Sequence, residues 1–256
     1  MRKTLLAIIL IATSCFQSSV SAQPFKLVRD INLGPDYDPD RPSDLTDVGG
    51  VLFFKIDKGP KGGIWKTDGT SGGTVAVAFI SSGERVQSLV NVNGVLFYVV
   101  TTIYAYPSTT SLWKSDGNTG GSLLIHSWTG ISVNYLTAVN NELYFTVANN
   151  WQPPAELWKS DGTSAGTVML KTASYIENLA SCNGKLFFSA AEETVPYHRI
   201  FKSDGTATGT VMVKDIASGT GTPYLFNFYK SFKEILKTQT LLRTPVIGPR
   251  TILSYK

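Results

Sequence analysis

Short apolar runs, each introduced by a two-residue turn, recur four times along this chain: VLFF after Gly49 and Gly50, VLFY after Asn93 and Gly94, ELYF after Asn140 and Asn141, and KLFF after Asn183 and Gly184. Asn-Gly and Gly-Gly pairs accept positive φ at both central positions, which a tight hairpin with the natural strand twist requires. A strand is therefore predicted on each side of every turn. Upstream, Leu45 and Val48, Leu89 and Val92, Leu136 and Val139, and Leu179 and Cys182 keep one offset from the turn, and they are expected to be the buried positions of the first strand. Downstream, a third strand carries Trp65, Trp113, Trp158 or Phe201, and a fourth begins with VAV, LLI, VML or VMV.

Between the third and fourth strands stands one phrase in four near copies: IWKTDGTSGGT at Ile64–Thr74, LWKSDGNTGGS at Leu112–Ser122, LWKSDGTSAGT at Leu157–Thr167 and IFKSDGTATGT at Ile200–Thr210. Their aspartates, Asp68, Asp116, Asp161 and Asp204, are 48, 45 and 43 residues apart. A period of roughly 40 to 50 residues with four strands per unit is that of a propeller, where each small sheet must bury its faces against its neighbours. The predicted fold is thus an all-β propeller of four-stranded antiparallel blades. The aspartates and the glycines after them (Gly69, Gly117, Gly162 and Gly205) have turn chemistry, and the four large aromatics are expected to pack between sheets.

This phrase resembles the bacterial ELWxxDGT repeat, often described as hyalin-like. The resemblance spans roughly residues 25 to 228, strongest at Glu156–Thr167 and weakest at Ile200–Thr210, where Phe201 replaces tryptophan and Arg199 replaces glutamate. It implies a secreted or surface-attached protein of propeller type with no assigned reaction. A looser similarity, through Ser160, Asp161, Gly162 and Thr163, is to the Asp-box hairpin of sialidase-type propellers, itself a structural turn.

The ends of the chain add to this picture. Residues 1–22 read as a secretory signal, with Arg2 and Lys3, the apolar stretch Leu5–Ala12, and the small residues Val20, Ser21 and Ala22 before a cleavage point. Residues 23–228 form the repeat region. Phe25–Ile31 (FKLVRDI) matches Val211–Ile216 (VMVKDI), an orphan fourth strand, while Leu225 and Phe228 keep the first-strand offset; a fifth blade shared by the two ends is expected. The pattern stops after Phe228. Residues 229–256 hold six basic residues and Glu234, and they read as a non-repeat, aberrant or frameshifted tail. Taking those six, with Arg2 and Lys3, from the 23 basic residues leaves 15, against 18 acidic residues once Glu234 is taken from the 19. The repeat region is slightly acidic, which argues against a nucleic-acid surface. No run of about 18 apolar residues predicts a membrane span.

Candidate chemistry is sparse. Asp36, Asp38 and Asp40 have the alternating spacing of Ca²⁺ ligands, but Pro39 and Pro42 intrude and Asp47 stands where a bidentate glutamate belongs, so a solvated connection is expected and no cofactor is assigned. His126 and His198 lie in different repeats, without the spacing of a zinc site. No GxSxG is present, and Cys182, left alone by signal cleavage, is expected to be a buried, inert thiol. The segments between strands two and three depart most from the repeat: DKGPKG, TTIYAYPSTT, ANNWQPPA and AEETVPYH. They are expected to gather at one rim and to present Tyr104, Tyr106, Trp151 and Tyr197 to a glycan or protein ligand. The expected role is non-catalytic: adhesion, matrix structure or ligand binding. The alternatives are a propeller glycan hydrolase and a fragment of a larger surface protein without independent function.

Overall fold

In a computed structural model the described residues are 28, 41–57, 62–149, 152–192 and 195–214, with side chains left out at 152 and 195–197. Sixteen strands form four sheets. Blade 1 holds β1 (Ser43–Val48), β2 (Val51–Ile56), β3 (Gly63–Thr67) and β4 (Val75–Phe79). Blade 2 holds β5 (Glu84–Val92), β6 (Val95–Thr102), β7 (Thr109–Ser115) and β8 (Ser122–Thr129). Blade 3 holds β9 (Ser132–Val139), β10 (Glu142–Asn149), β11 (Gln152–Ser160) and β12 (Val168–Ala173). Blade 4 holds β13 (Tyr175–Cys182), β14 (Lys185–Glu192), β15 (Val195–Ser203) and β16 (Val211–Lys214). Each sheet is an antiparallel meander in chain order. The first strands β1, β5, β9 and β13 lie side by side and line the axis. This is a β-propeller, with four of its blades in the described residues. The expected fifth blade and the 229–256 tail lie outside them, as does the 1–22 leader.

The hairpin turns follow the sequence expectation. Gly49 and Gly50, Asn93 and Gly94, and Asn183 and Gly184 all have positive φ, as does Asn140. Alternation along the second strand sends its third residue toward the next blade and its fourth toward the preceding one. Three junctions result. Val48, Phe53, Ile64 and Val77 of blade 1 bury against Val86, Tyr98 and Val100 of blade 2. Val92, Phe97, Leu112 and Ile125 meet Leu143, Phe145 and Val147, and Val139, Tyr144, Leu157 and Leu170 meet Leu186, Phe188 and Phe201. Trp113, Trp158 and Phe201 stack on Tyr98, Phe145 and Phe188 of their own sheets. Phe201 is buried, but Trp113 and Trp158 are only partly so. Trp158 donates its Nε1–H to Glu156 Oε2 at 2.8 Å.

Two burial expectations need correction. Leu89, Leu136 and Leu179 pack on the junction with the preceding blade, whereas Leu45 is 64% exposed, because no described sheet precedes blade 1 on its side. Cys182 is half-buried rather than buried, because no described sheet covers the side of blade 4 where it stands.

The D-G-T turns account for nearly every residue of the repeated phrase. Asp161 Oδ1 accepts from the Thr163 N–H at 2.8 Å and from its hydroxyl at 2.7 Å. Gly166 N–H donates to Thr163 Oγ1, Gly162 N–H donates to Ser160 Oγ, and Thr167 Oγ1 donates to the Thr163 carbonyl. Asp68 and Asp204 repeat this set, and Asn118 replaces the threonine beside Asp116. Hydrogen bonds from Thr70, Thr163 and Thr206 hold Asp68, Asp161 and Asp204 below the ordinary carboxylate pKa, and those from Asn118 do so for Asp116. A Cβ on the later glycine of each turn (Gly73, Gly121, Gly166 or Gly209) would overlap that carboxylate.

The glycine directly after the aspartate has a second task. The turns of blades 2, 3 and 4 rest on the third residue of the preceding blade's second strand: a Cβ on Gly117 would lie 2.9 Å from Phe53 Cζ, one on Gly162 3.1 Å from Phe97 Cζ, and one on Gly205 2.7 Å from the Tyr144 hydroxyl. Gly69, on blade 1, faces open space. Thr119 Oγ1 and Gly120 N–H also donate across the junction, to the carbonyls of Ala76 and Val77.

Candidate functional site: loop rim and channel

Because the strands alternate in direction, the hairpin and D-G-T turns lie at one end of the propeller. The loops between strands two and three, with the connections between blades, lie at the other. At that second end the loop between β6 and β7 is held on both flanks. Ile103 N–H donates to the Gly83 carbonyl at 2.7 Å, and Gly130 N–H donates to the Ser108 carbonyl at 2.7 Å. Thr109 N–H donates to Thr102 Oγ1, closing the base of the loop. On this braced loop Tyr104 is 85% and Tyr106 102% exposed. Of the other expected aromatics, Trp151 lies outside the described residues. Tyr197 lies within β15, not in a loop, because Val195 already pairs with Glu192 and leaves two residues between the strands. Asp36, Asp38 and Asp40 also lie outside the described residues.

Inside the ring, each first strand is interrupted by a bulge, and Asp44, Tyr135 and Asn178 there have left-handed backbone. A bulge leaves a carbonyl turned away from its own ladder. In blades 3 and 4 the fifth residue of the second strand supplies a donor: Thr146 Oγ1 to the Asn134 carbonyl and Ser189 Oγ to the Glu177 carbonyl. In blade 2 that residue is Val99, which has nothing to donate. The need is met from blade 1, where buried Lys55 donates through Nζ to the carbonyls of Val86 (3.0 Å) and Gln87 (3.2 Å). Asp44 and Asp57 balance its charge at 3.2 and 3.4 Å, and Arg85 lies 3.7 Å from Asp57. Sequence reasoning missed this cluster. Its only signal was a lysine interrupting VLFFKI.

Asp44, Gln87, Ser88 and Tyr135 line a polar pocket of about 440 Å³ at the axis, together with Leu45, Thr46, Leu89 and Leu136. The carboxylates of the described residues are otherwise engaged. Glu142 accepts from Lys159 (2.7 Å) and Tyr144 (2.8 Å), and burial, then this bond, raises the Tyr144 phenol pKa. Glu192 takes Lys171 and Arg199, Glu84 the Ser81 N–H, and Asp47 the Gly50 N–H. Glu177, beside Tyr135 and Tyr175 at the blade 3–4 junction, is the one carboxylate without a described partner. His126 is wedged against Trp128 and Trp158, and His198 stacks on Tyr175. Among the described residues no cluster of His, Cys, Asp and Glu is placed to hold a metal ion, and no helix is long and apolar enough to cross a membrane.

No family model and no curated protein matches this chain. Solved structures similar to it include a nidogen/laminin complex, at 11% identity and TM-score 0.44 over 68% of this chain and 63% of that one. Oligopeptidase B from Leishmania major matches at 12% identity and TM-score 0.47, over 66% of this chain and 26% of that one. The propeller domain of the trilobed protease from Pyrococcus furiosus matches at 12% and 0.40, over 55% of this chain and 46% of that one. The chain thus spans less than two thirds of the length of each of these structures, to which it is similar at the level of a β-propeller architecture.

Proposed function

We propose that this chain is a non-catalytic, secreted repeat protein of the ELWxxDGT type that binds an extracellular glycan or protein through the loop rim. The observation that carries the reading is the pair Tyr104 and Tyr106, almost wholly exposed on a loop whose ends are clamped by backbone hydrogen bonds. Exposed rings on a pre-ordered loop lose little conformational entropy on binding, and each offers an apolar face with a polar tip to a sugar ring or an apolar side chain. That the described carboxylates other than Glu177 are held in ion pairs or hydrogen bonds supports a binding role over glycan hydrolysis, which needs two carboxyl groups facing one bond. The leader-like residues 1–22 support export.

The test is a glycan and matrix-protein array probed with residues 23–256, against the Tyr104→Ala/Tyr106→Ala variant. Binding by the parent, lost at least tenfold in the variant at unchanged melting temperature, is expected. Binding that survives both substitutions would overturn the rim assignment. Release of reducing ends from any bound polysaccharide would overturn the non-catalytic reading.

A further inference from the structure

The seat that Lys55 fills between blades 1 and 2 recurs between blades 3 and 4 without its lysine. At the first junction the Lys55 ammonium group is buried against the Val86 and Gln87 carbonyls, and Asp44 and Asp57 balance it at 3.2 and 3.4 Å. Counted from the hairpin turns, the equivalent positions at the later junction are Thr146 for Lys55, Tyr135 for Asp44, Ala148 for Asp57, and Tyr175, Ile176 and Glu177 for Arg85, Val86 and Gln87. All six of these line a crevice of about 20 Å³, room for one water-sized group. Shortening lysine to threonine leaves that room. The charge differs as well. Around Lys55 two cations, Lys55 and Arg85, face two carboxylates, Asp44 and Asp57. Around the crevice Glu177 brings a carboxylate where Gln87 has an amide, and neither cation has a counterpart. The described cations Lys171 and Arg199 of this junction are held by Glu192.

We propose that this crevice binds the ammonium group of an amino sugar. A protonated primary amine has the size of the space and the charge that Glu177 lacks, and its N–H groups can donate to that carboxylate. A guanidinium or an acetamido group is larger than the crevice. Tyr135 also lines the axial pocket of about 440 Å³, together with Gln87 and Ser88, so crevice and pocket adjoin at its ring. That pocket offers amide, hydroxyl and phenol groups to a ligand body rich in hydroxyls, while Tyr135 and Tyr175, the latter 42% exposed, offer aromatic faces to a sugar ring. Tyr135 keeps the left-handed backbone of Asp44, with φ 55° against 52°, a conformation that aspartate adopts far more readily than tyrosine. A ring held there at a backbone cost fits a binding role. The site shares no residue with the loop that carries Tyr104 and Tyr106, and it does not rest on the rim reading.

Calorimetric titration of the full chain with a glucosamine disaccharide, and with the same disaccharide N-acetylated, tests the site. The glucosamine disaccharide is expected to bind at least tenfold more tightly. Glu177→Gln keeps the shape of the side chain and removes its charge, and it should weaken that binding at least tenfold at unchanged melting temperature. Thr146→Lys should fill the seat from within, as Lys55 does, and abolish binding in a folded protein. Tyr104→Ala/Tyr106→Ala should leave the affinity unchanged, which separates this site from the rim. No binding of the glucosamine disaccharide, equal affinity for the two disaccharides, or binding undiminished in Glu177→Gln would overturn the proposal. Loss of binding in the rim variant would overturn it as well, since the amine would then be held elsewhere.

Discussion

The seating of a D-G-T turn on the blade before it can be tested with two glycines at the same place in the repeat, Gly69 and Gly117. Gly69 and Gly117 have nearly equal φ, 89° and 83°, so alanine strains the backbone alike at both, by about 1 to 2 kcal/mol. They differ in surroundings. A Cβ at 69 meets nothing within 4 Å, whereas one at 117 lies 2.9 Å from Cζ of buried Phe53. Forcing that ring aside adds an overpacking cost of about 1 to 3 kcal/mol. Gly69→Ala should thus lose about 1 to 2 kcal/mol and Gly117→Ala about 2 to 5, as read from urea unfolding midpoints at constant m-value. Phe53→Leu removes the atom in the way. Combined with Gly117→Ala, it should cancel most of the increment, a coupling of about 1 to 3 kcal/mol in the double-mutant cycle. Equal losses at 69 and 117, or an increment untouched by Phe53→Leu, would refute the seat.

Phe188→Ala, at a fully buried ring stacked on Phe201, should lose about 3 to 5 kcal/mol by urea unfolding, and Trp158→Ala less, because that indole is only partly buried. Lys55→Met should lose about 3 kcal/mol in the same assay, since the Val86 and Gln87 carbonyls lose their donor and two carboxylates lose their cation; a loss under 1 kcal/mol would contradict the assignment. Asp161 and its three counterparts have folded pKa values below the ordinary 3.8. A depressed carboxylate contributes stability that is present above the unfolded pKa and lost as pH falls through the folded one. Melting temperature should therefore hold above about pH 5 and drop below about pH 4, with a shallower drop in Asp161→Asn.

The four blades of the described residues, their strand order and their turn positions were legible in the sequence because each rests on local chemistry repeated four times. Asn93-Gly94 makes the same hairpin wherever it occurs. Burial was legible only where a neighbour exists. Leu45 and Cys182 carry the same pattern as Leu89 and Val92, and they differ in whether another described sheet stands beside them. Tyr197 was misplaced for a related reason: a varied, proline-containing segment reads as loop, but pairing with β14 extends the strand through it. The link between Val99 and Lys55 was invisible, since it joins a deficit in one repeat to a departure in the one before, 44 residues away. Among the described candidates for recognition, Tyr104 and Tyr106 were singled out because they break the repeat, and both are exposed.

The turn seats also give the array a direction in time. Every seat is formed by the second strand of the earlier blade, and every turn that fills it belongs to the later one. A chain emerging amino end first therefore offers the turns of blades 2, 3 and 4 a docking surface already built. Growth by addition at the trailing end suits a polypeptide that folds while it is being delivered. The same polarity would make a carboxy-terminal cut mild and an amino-terminal one severe: removing the last blade bares one seat, whereas removing the first leaves the next turn with nothing beneath it.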